Sequence, residues 1–278
     1  MARFAWVMLV ALLGCGGDSS HDDGGLDAGF DVGLVADGGS DAGSDAAFDA
    51  RVDGAPDGGF DAALDAAFDA GLDGAAAPGF GAIAGPCPRI TGELSTSTAS
   101  LFSTRLDFGD DPFDVPEDVS RLTPGGQEIW MEGTLGGSSG ESEVFAFEVL
   151  ARCDGAALLK SESEIRYVVE GAKTDILVDF GGTPIGVSVT RAFVFPPSEP
   201  YTVALAQDLL MRKLSDILES SANVAPEDRW RKQILVVMAY ADMHAESIMS
   251  AWAALDPSIT ADTIVYVVVT DGMDEPLY

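Results

Sequence analysis

The stretch Glu164-Ile-Arg-Tyr-Val-Val-Glu170-Gly-Ala-Lys-Thr-Asp175-Ile-Leu-Val-Asp179-Phe-Gly-Gly-Thr-Pro-Ile-Gly-Val-Ser188-Val-Thr190-Arg191 decides how this chain is read. Alternating apolar and polar residues mark half-buried strands, because successive side chains point to opposite faces. Ile165, Tyr167 and Val169 alternate with Glu164, Arg166 and Glu170. Ile176, Val178 and Phe180 oppose Asp175 and Asp179, and Val187 and Val189 alternate with Ser188 and Thr190. Gly171 and Gly181-Gly182 fall where the chain reverses, as glycine accepts positive φ at little cost. In register, three such strands gather Glu164, Glu170, Asp175, Asp179, Ser188 and Thr190 on one polar face.

Outward from this meander, residues 142–155 read as a helix with Ser142 as N-cap and Gly155 as a left-handed stop. Residues 201–220 carry Val203, Ala206, Leu210, Leu214 and Ile217 at helical spacing. Residues 233–241 and 263–270 are continuous apolar runs, the pattern of strands buried on both faces. A helix over 244–255, begun by Asp242, separates them. A single long helix through 227–255 is the competing reading, since Trp230, Ile234, Val237, Ala241, Ile248 and Trp252 also fit helical spacing. Residues 86–141 read as a loop-rich lead-in with one or two short strands, one over 128–132. The expected class is α/β, with a mixed sheet of the meander plus two further strands flanked by helices in a core over 142–278.

This order and the placement of Asp175 resemble the PD-(D/E)XK, or restriction-endonuclease-like, superfamily. The resemblance implies an Asp on the second strand and a Glu-x-Lys on the third, the acids holding a divalent metal (Mg or Ca) and the lysine orienting the attacking water. Asp175 matches the Asp. Ser188 stands where Glu is expected and Thr190 where Lys is expected, and a hydroxyl is a weak substitute for an anionic ligand of a hard cation. Asp179, Glu164 and Glu170 are candidates for the missing charge, and Lys173 for the missing lysine. Arg191 lies on the other face of a regular strand. The leading helix carries a Glu in some members, which Glu143 or Glu148 matches. The implied catalytic set is Asp175, Asp179, Ser188 and Thr190, and the implied metal set is Asp175, Asp179, Glu164 and Glu170. Solvent-facing strand acids, or acids paired with Arg166, are the alternative.

Formal net charge is −31 over 278 residues. Residues 86–278 hold 13 basic and 31 acidic side chains, near −18. Such a field repels phosphates, and no basic stripe is evident beyond Arg212-Lys213 and Arg229/Arg231/Lys232, so composition counts against a nucleic-acid partner.

Arg3 precedes an apolar run over residues 4–13 that is too short to span a bilayer as a mature helix. It ends in Leu12-Leu13-Gly14-Cys15, which resembles the lipobox of bacterial lipoproteins. The resemblance implies a signal peptide over 1–15, acylation of Cys15, and stable membrane anchoring by several acyl chains. It places the protein in the cell envelope outside the cytoplasm, with the outer membrane or cell surface favoured because Gly16, not Asp, follows Cys15. From 16 to 85 the composition collapses to Asp, Gly and Ala, with Asp at every fourth position from Asp37 to Asp73. Asp and Gly are poor helix formers, like charges four apart repel, and calcium repeats use other spacings. A disordered acidic stalk is expected, spanning roughly 45 Å as a flexible coil.

Outside the cytoplasm the pair Cys87 and Cys153 is expected to form a disulfide. Asp107, Asp110, Asp111 and Asp114 read as turn residues or a calcium loop. His244 has no nucleophile pattern beside it and reads as a helix-start or packed histidine. No P-loop, dinucleotide fingerprint or zinc motif appears. Two functions follow: an anchored exported protein displaying a binding or non-catalytic α/β domain to an unknown protein or small-molecule partner, or a metal-dependent phosphodiesterase with a degenerate site.

Overall fold

The two long apolar runs become strands at the centre of a seven-stranded mixed sheet. A computed structural model of the chain describes residues 77–133 and 140–278. The expected signal peptide, Cys15 and most of the expected acidic stalk lie outside the described residues.

The strands are β1 (Ala82–Ile83), β2 (Ser100–Asp107), β3 (Ala157–Ser161), β4 (Ile176–Asp179), β5 (Pro184–Ala192), β6 (Gln233–Ala239) and β7 (Ile264–Asp271). The helices are α1 (Pro124–Glu132), α2 (Gly140–Asp154), α3 (Val203–Asn223), α4 (Asp242–Ala253) and the short α5 (Pro257–Thr260). Sheet order is β1-β2-β7-β6-β5-β4-β3. The four strands β2, β7, β6 and β5 run parallel, while β4 is antiparallel to both β5 and β3.

Every residue of β6 is buried, which is why its sequence shows no alternation. Ile234, Val236 and Met238 pack on the face covered by α2, with Phe145 and Leu150. Leu235, Val237 and Ala239 pack on the opposite face, with Leu210 and Leu214 of α3 and Ile248 of α4. Each fully buried aliphatic side chain stabilises by about 1.5–3 kcal/mol relative to exposure. The result is three layers, helix–sheet–helix. The long-helix reading of 227–255 is excluded: the chain runs strand, then helix from Asp242, although Ala241 holds the N-cap position.

The first strand of the meander is β3, not residues 164–170. That segment is a loop joined to the end of α3 by one antiparallel bridge, Tyr167 to Val224. Its alternation has another cause: Ile165 and Tyr167 pack against Leu177, Val224 and Trp230, while Val168 and Val169 stay exposed. Gly181 and Gly182 have φ of +61° and +95°, as the β4–β5 turn requires. Gly155 (φ +74°) stops α2 as expected, but Ser142 is buried inside that helix and is not its cap.

Residues 128–132 are helical, not extended. Thr123 caps α1, its hydroxyl accepting from the Gly126 amide at 3.3 Å, with Pro124 at the first helical position and Gly133 (φ +70°) just past the end. The lead-in also supplies β2, so it belongs to the same sheet as the core. The packed residues of the domain include some before residue 86: β1 pairs with β2, and Phe80 is fully buried among Phe108, Phe113 and Phe145.

A disulfide and the Arg152 side chain are among the ties that hold residues 77–90 onto α2. Cys87 and Cys153 are disulfide-bonded, with Cα atoms 5.0 Å apart. The buried Arg152 guanidinium donates to the carbonyls of Ala77 (3.0 Å), Phe80 (2.8 Å) and Gly81 (2.9 Å).

Candidate functional site

The carboxylates of the expected metal set do not converge. Asp179 sits opposite Pro184 at the turn end of β4, and its carboxylate accepts the Gly182 amide at 2.9 Å. It shares a face with Asp175 but stands four residues along the strand, roughly 13 Å away at the strand rise. Glu164 caps the turn after β3, accepting the Ser161 amide at 3.2 Å. Glu170 is exposed in the following loop, as is Lys173. Among the described residues, no three Asp, Glu, His or Cys side chains stand close enough to hold a metal ion together. The calcium-loop reading meets the same finding: Asp107 accepts the Gly109 amide at 2.7 Å, and Asp111 pairs with Arg121 at 2.5 Å.

Asp175 does occupy a site. The β4–β5 ladder begins at Ile176 opposite Val187, so Asp175 lies one position before it, where the two strands part. A β5 amide that β4 no longer reaches must find another acceptor. The Asp175 carboxylate supplies it, accepting Val189 N–H at 2.7 Å. Because β4 has stopped, helices from both faces of the sheet reach the same opening. A cleft of about 260 Å³ lies there, lined by Ser142 and Glu143 of α2, Asp175, Thr190 and Arg191 of β5, and Arg212 with Lys213 of α3.

Thr190 lines the cleft, while Ser188 is buried (5% exposed) and does not. Arg191 has the strand parity of Val187 and Val189, as expected of the other face, yet lines the cleft because the opening spans both faces. Its guanidinium also donates to the Leu277 carbonyl at 2.9 Å. Of the two α2 candidates, Glu143 faces the cleft. Glu148 is fully buried and accepts from the Thr123 amide (2.8 Å) and hydroxyl (2.6 Å), a structural role. His244 is packed, 2% exposed, with its ring stacked on Tyr201 at 4.9 Å.

Sequence reading missed Lys213, Arg212 and Arg191 as members of this site. The signal for the first two was present: Arg212-Lys213 is a rare basic pair in an acidic domain, and Lys213 flanks the buried stripe Leu210, Leu214 and Ile217.

Burial raises the Asp175 carboxyl to about 6, against the pull of the Val189 amide and of Lys213, with Glu162 adding to the rise. A carboxyl whose folded pKa exceeds the unfolded value, about 3.9, holds more protons in the native state. Its contribution to stability is complete below about pH 4 and lost as pH rises through about 6. Thermal unfolding of wild type and Asp175→Asn between about pH 4 and 8 is therefore expected to shift in favour of the variant as pH rises. Melting curves that keep a constant offset across that range would contradict the raised pKa.

Comparison with known proteins adds little to this geometry. No family model matches the chain, and no solved structure matches it. It is similar to a Dictyostelium discoideum protein described as "AAC-rich mRNA clone AAC4 protein", at 37% identity over 152 residues. That match takes in 52% of this chain and 22% of that protein, so the chain spans about a fifth of the length of the curated relative it matches.

Proposed function

We propose that this is an exported, lipid-anchored envelope protein whose α/β domain serves as a binding module, with the Asp175 cleft as its ligand site. The anchor reading rests on Leu12-Leu13-Gly14-Cys15 after a short apolar run. The Cys87–Cys153 disulfide supports it, since such bonds persist in oxidising compartments. Acylated Cys15 attaches the chain to the membrane, in the outer membrane or at the cell surface, and the acidic stalk holds the domain clear of it. On expression in a bacterial host, wild type is expected in the membrane fraction and Cys15→Ser in the soluble fraction. Equal partitioning of the two would remove the anchor.

The scaffold is proposed to be restriction-endonuclease-like. The order α2, then β3-β4-β5, then α3-β6-α4-β7 supports it, as does Asp175 at the start of the meander's second strand. The binding role rests on one observation. The Asp175 carboxylate is engaged by the Val189 amide and faces Lys213, while Asp179, Glu164 and Glu170 lie elsewhere. Cations, not further acids, dominate its surroundings.

One observation favours a second reading, a metal-dependent phosphodiesterase. Glu143 lines the cleft beside Asp175, bringing an acid from the leading helix to the strand-two Asp. The two readings part on metal affinity: the first gives none at Asp175, the second a saturable Mg or Ca site. The domain's charge near −18 weighs against a nucleic-acid substrate.

A further inference from the structure

A second cleft, of about 250 Å³, adjoins the Asp175 cleft, and the two share Arg191 and Arg212. It lies between the end of β5 and the first turns of α3. Its walls are largely apolar, with Phe193 and Val194 on one side and Leu205 and Leu209 on the other. Leu205 remains 43% exposed although it lines a concave surface. Tyr201 forms part of the same wall. It is 7% exposed, and its hydroxyl has no hydrogen-bond partner among the described residues. Burial raises that phenol to about 12, and its hydroxyl is a hydrogen-bond donor. Arg212, at the junction, makes no hydrogen bond or ion pair with any described residue.

We infer that the joined clefts bind a small organic carboxylate with an apolar body, its head at Arg212 and Lys213 and its body against Phe193, Leu205 and Leu209. The inference rests on the reading of the Asp175 cleft as a ligand site. Together the clefts reach the size of small-molecule sites, roughly 300–1,000 Å³, which combine apolar walls with a few fixed polar groups. Guanidinium is the side chain whose planar fork matches a carboxylate. Charge selects a single negative head over a phosphate dianion: Glu143, Asp175 and Asp208 stand among the three cations of these walls and repel a second negative charge. Asp208, in the wall of the apolar cleft, also leaves a place for an ammonium beside the carboxylate. Two sources share the chemistry, an apolar amino acid and its deaminated acid.

The test is calorimetric titration of the full chain with phenylalanine, phenylpropanoate and phenethylamine. Saturable binding of either carboxylate below ~1 mM is expected, weakened roughly tenfold or more by Arg212→Gln and by Leu205→Ser. Both replaced residues are exposed, so folding is preserved, and circular dichroism checks it. Binding of phenylalanine alone assigns the ammonium to Asp208; binding of phenylpropanoate shows that the carboxylate suffices. Phenethylamine binding as tightly as the carboxylates, affinity unchanged in Arg212→Gln, or silence towards all three overturns the inference. Mg²⁺ is titrated in parallel. Saturable Mg²⁺ binding that Asp175→Ala abolishes overturns the binding-module reading itself, whereas silence towards both carboxylates and Mg²⁺ overturns the ligand class alone.

Discussion

Replacing Cys87 and Cys153 together with alanine is expected to lower the stability of the domain by about 4 kcal/mol. The bond closes a loop of 66 residues, and a loop of that length removes roughly that much conformational freedom from the unfolded chain in the entropy model. The effect is large because of what the bond joins. Cys87 precedes the helical turn Ile90–Ser95, and Cys153 lies in the last turn of α2. Between them the chain makes β2, α1 and most of α2, so the crosslink closes the loop that carries the lead-in's strand and helix back to the end of α2. Urea denaturation reads it directly: the midpoint should fall in the double variant. Coincident transitions for oxidised wild type and variant would show that the crosslink adds nothing to the native state's advantage.

Arg152→Met is expected to cost about 3 kcal/mol. The methionine keeps much of the aliphatic bulk but abandons the carbonyls of Ala77, Phe80 and Gly81, which all accept from the guanidinium. It also removes the positive charge that offsets buried Glu148. Burial lowers the Arg152 pKa and Glu148 opposes that shift, and the guanidinium remains a cation. The loss should appear as earlier amide exchange at β1 and in the β2 residues paired with it, before the central strands open. Because Arg152 and Cys153 tie the same segment to α2, the two changes should combine less than additively. Unchanged exchange at Ile83 and Leu106 would contradict the role assigned to Arg152.

How much of this was legible in the sequence varies by element, for physical reasons. Strand β7 was readable because burial on both faces leaves an apolar run, whereas the same kind of run in β6 also fitted the spacing of a long helix through 227–255. Helix α3 was readable from its stripe Ala206, Leu210, Leu214 and Ile217. Strand β2 was not. Its Ser100, Ser103, Thr104 and Arg105 look like loop, and it becomes a strand by pairing in parallel with β7, more than 150 residues away. Helix α1 was hidden by Gly125-Gly126, two poor helix formers inside a lead-in that read as loop-rich. Both glycines are needed there because Phe147 and Glu148 of α2 occupy the space a side chain would take. Residues 164–170 carry a good strand pattern that tertiary contacts override: the Tyr167 hydroxyl accepts the Thr174 amide at 2.7 Å, and the segment packs on Val224 and Trp230 instead of entering the sheet.

The site divides the same way. Asp175 and Thr190 were legible because they belong to one hairpin, whose register follows from its turn. Asp179 misled because sharing a face is not sharing a place: four residues along a strand carry a carboxylate beyond any common ligand. Glu143, Arg212 and Lys213 reach the cleft from helices on opposite faces, and only the early end of β4 lets them meet. A hairpin pattern records its own length but not which helices reach around its end.

The most direct test of the central claim is a calorimetric titration of Mg²⁺ and Ca²⁺ into the protein and its Asp175→Ala variant, after the diffuse contribution of the acidic residues of 16–85 is screened with salt. The cleft described here predicts indistinguishable isotherms, since the Asp175 carboxylate serves the Val189 amide and faces Lys213. A saturable site present in wild type and missing from Asp175→Ala would contradict it and restore the metal-dependent reading.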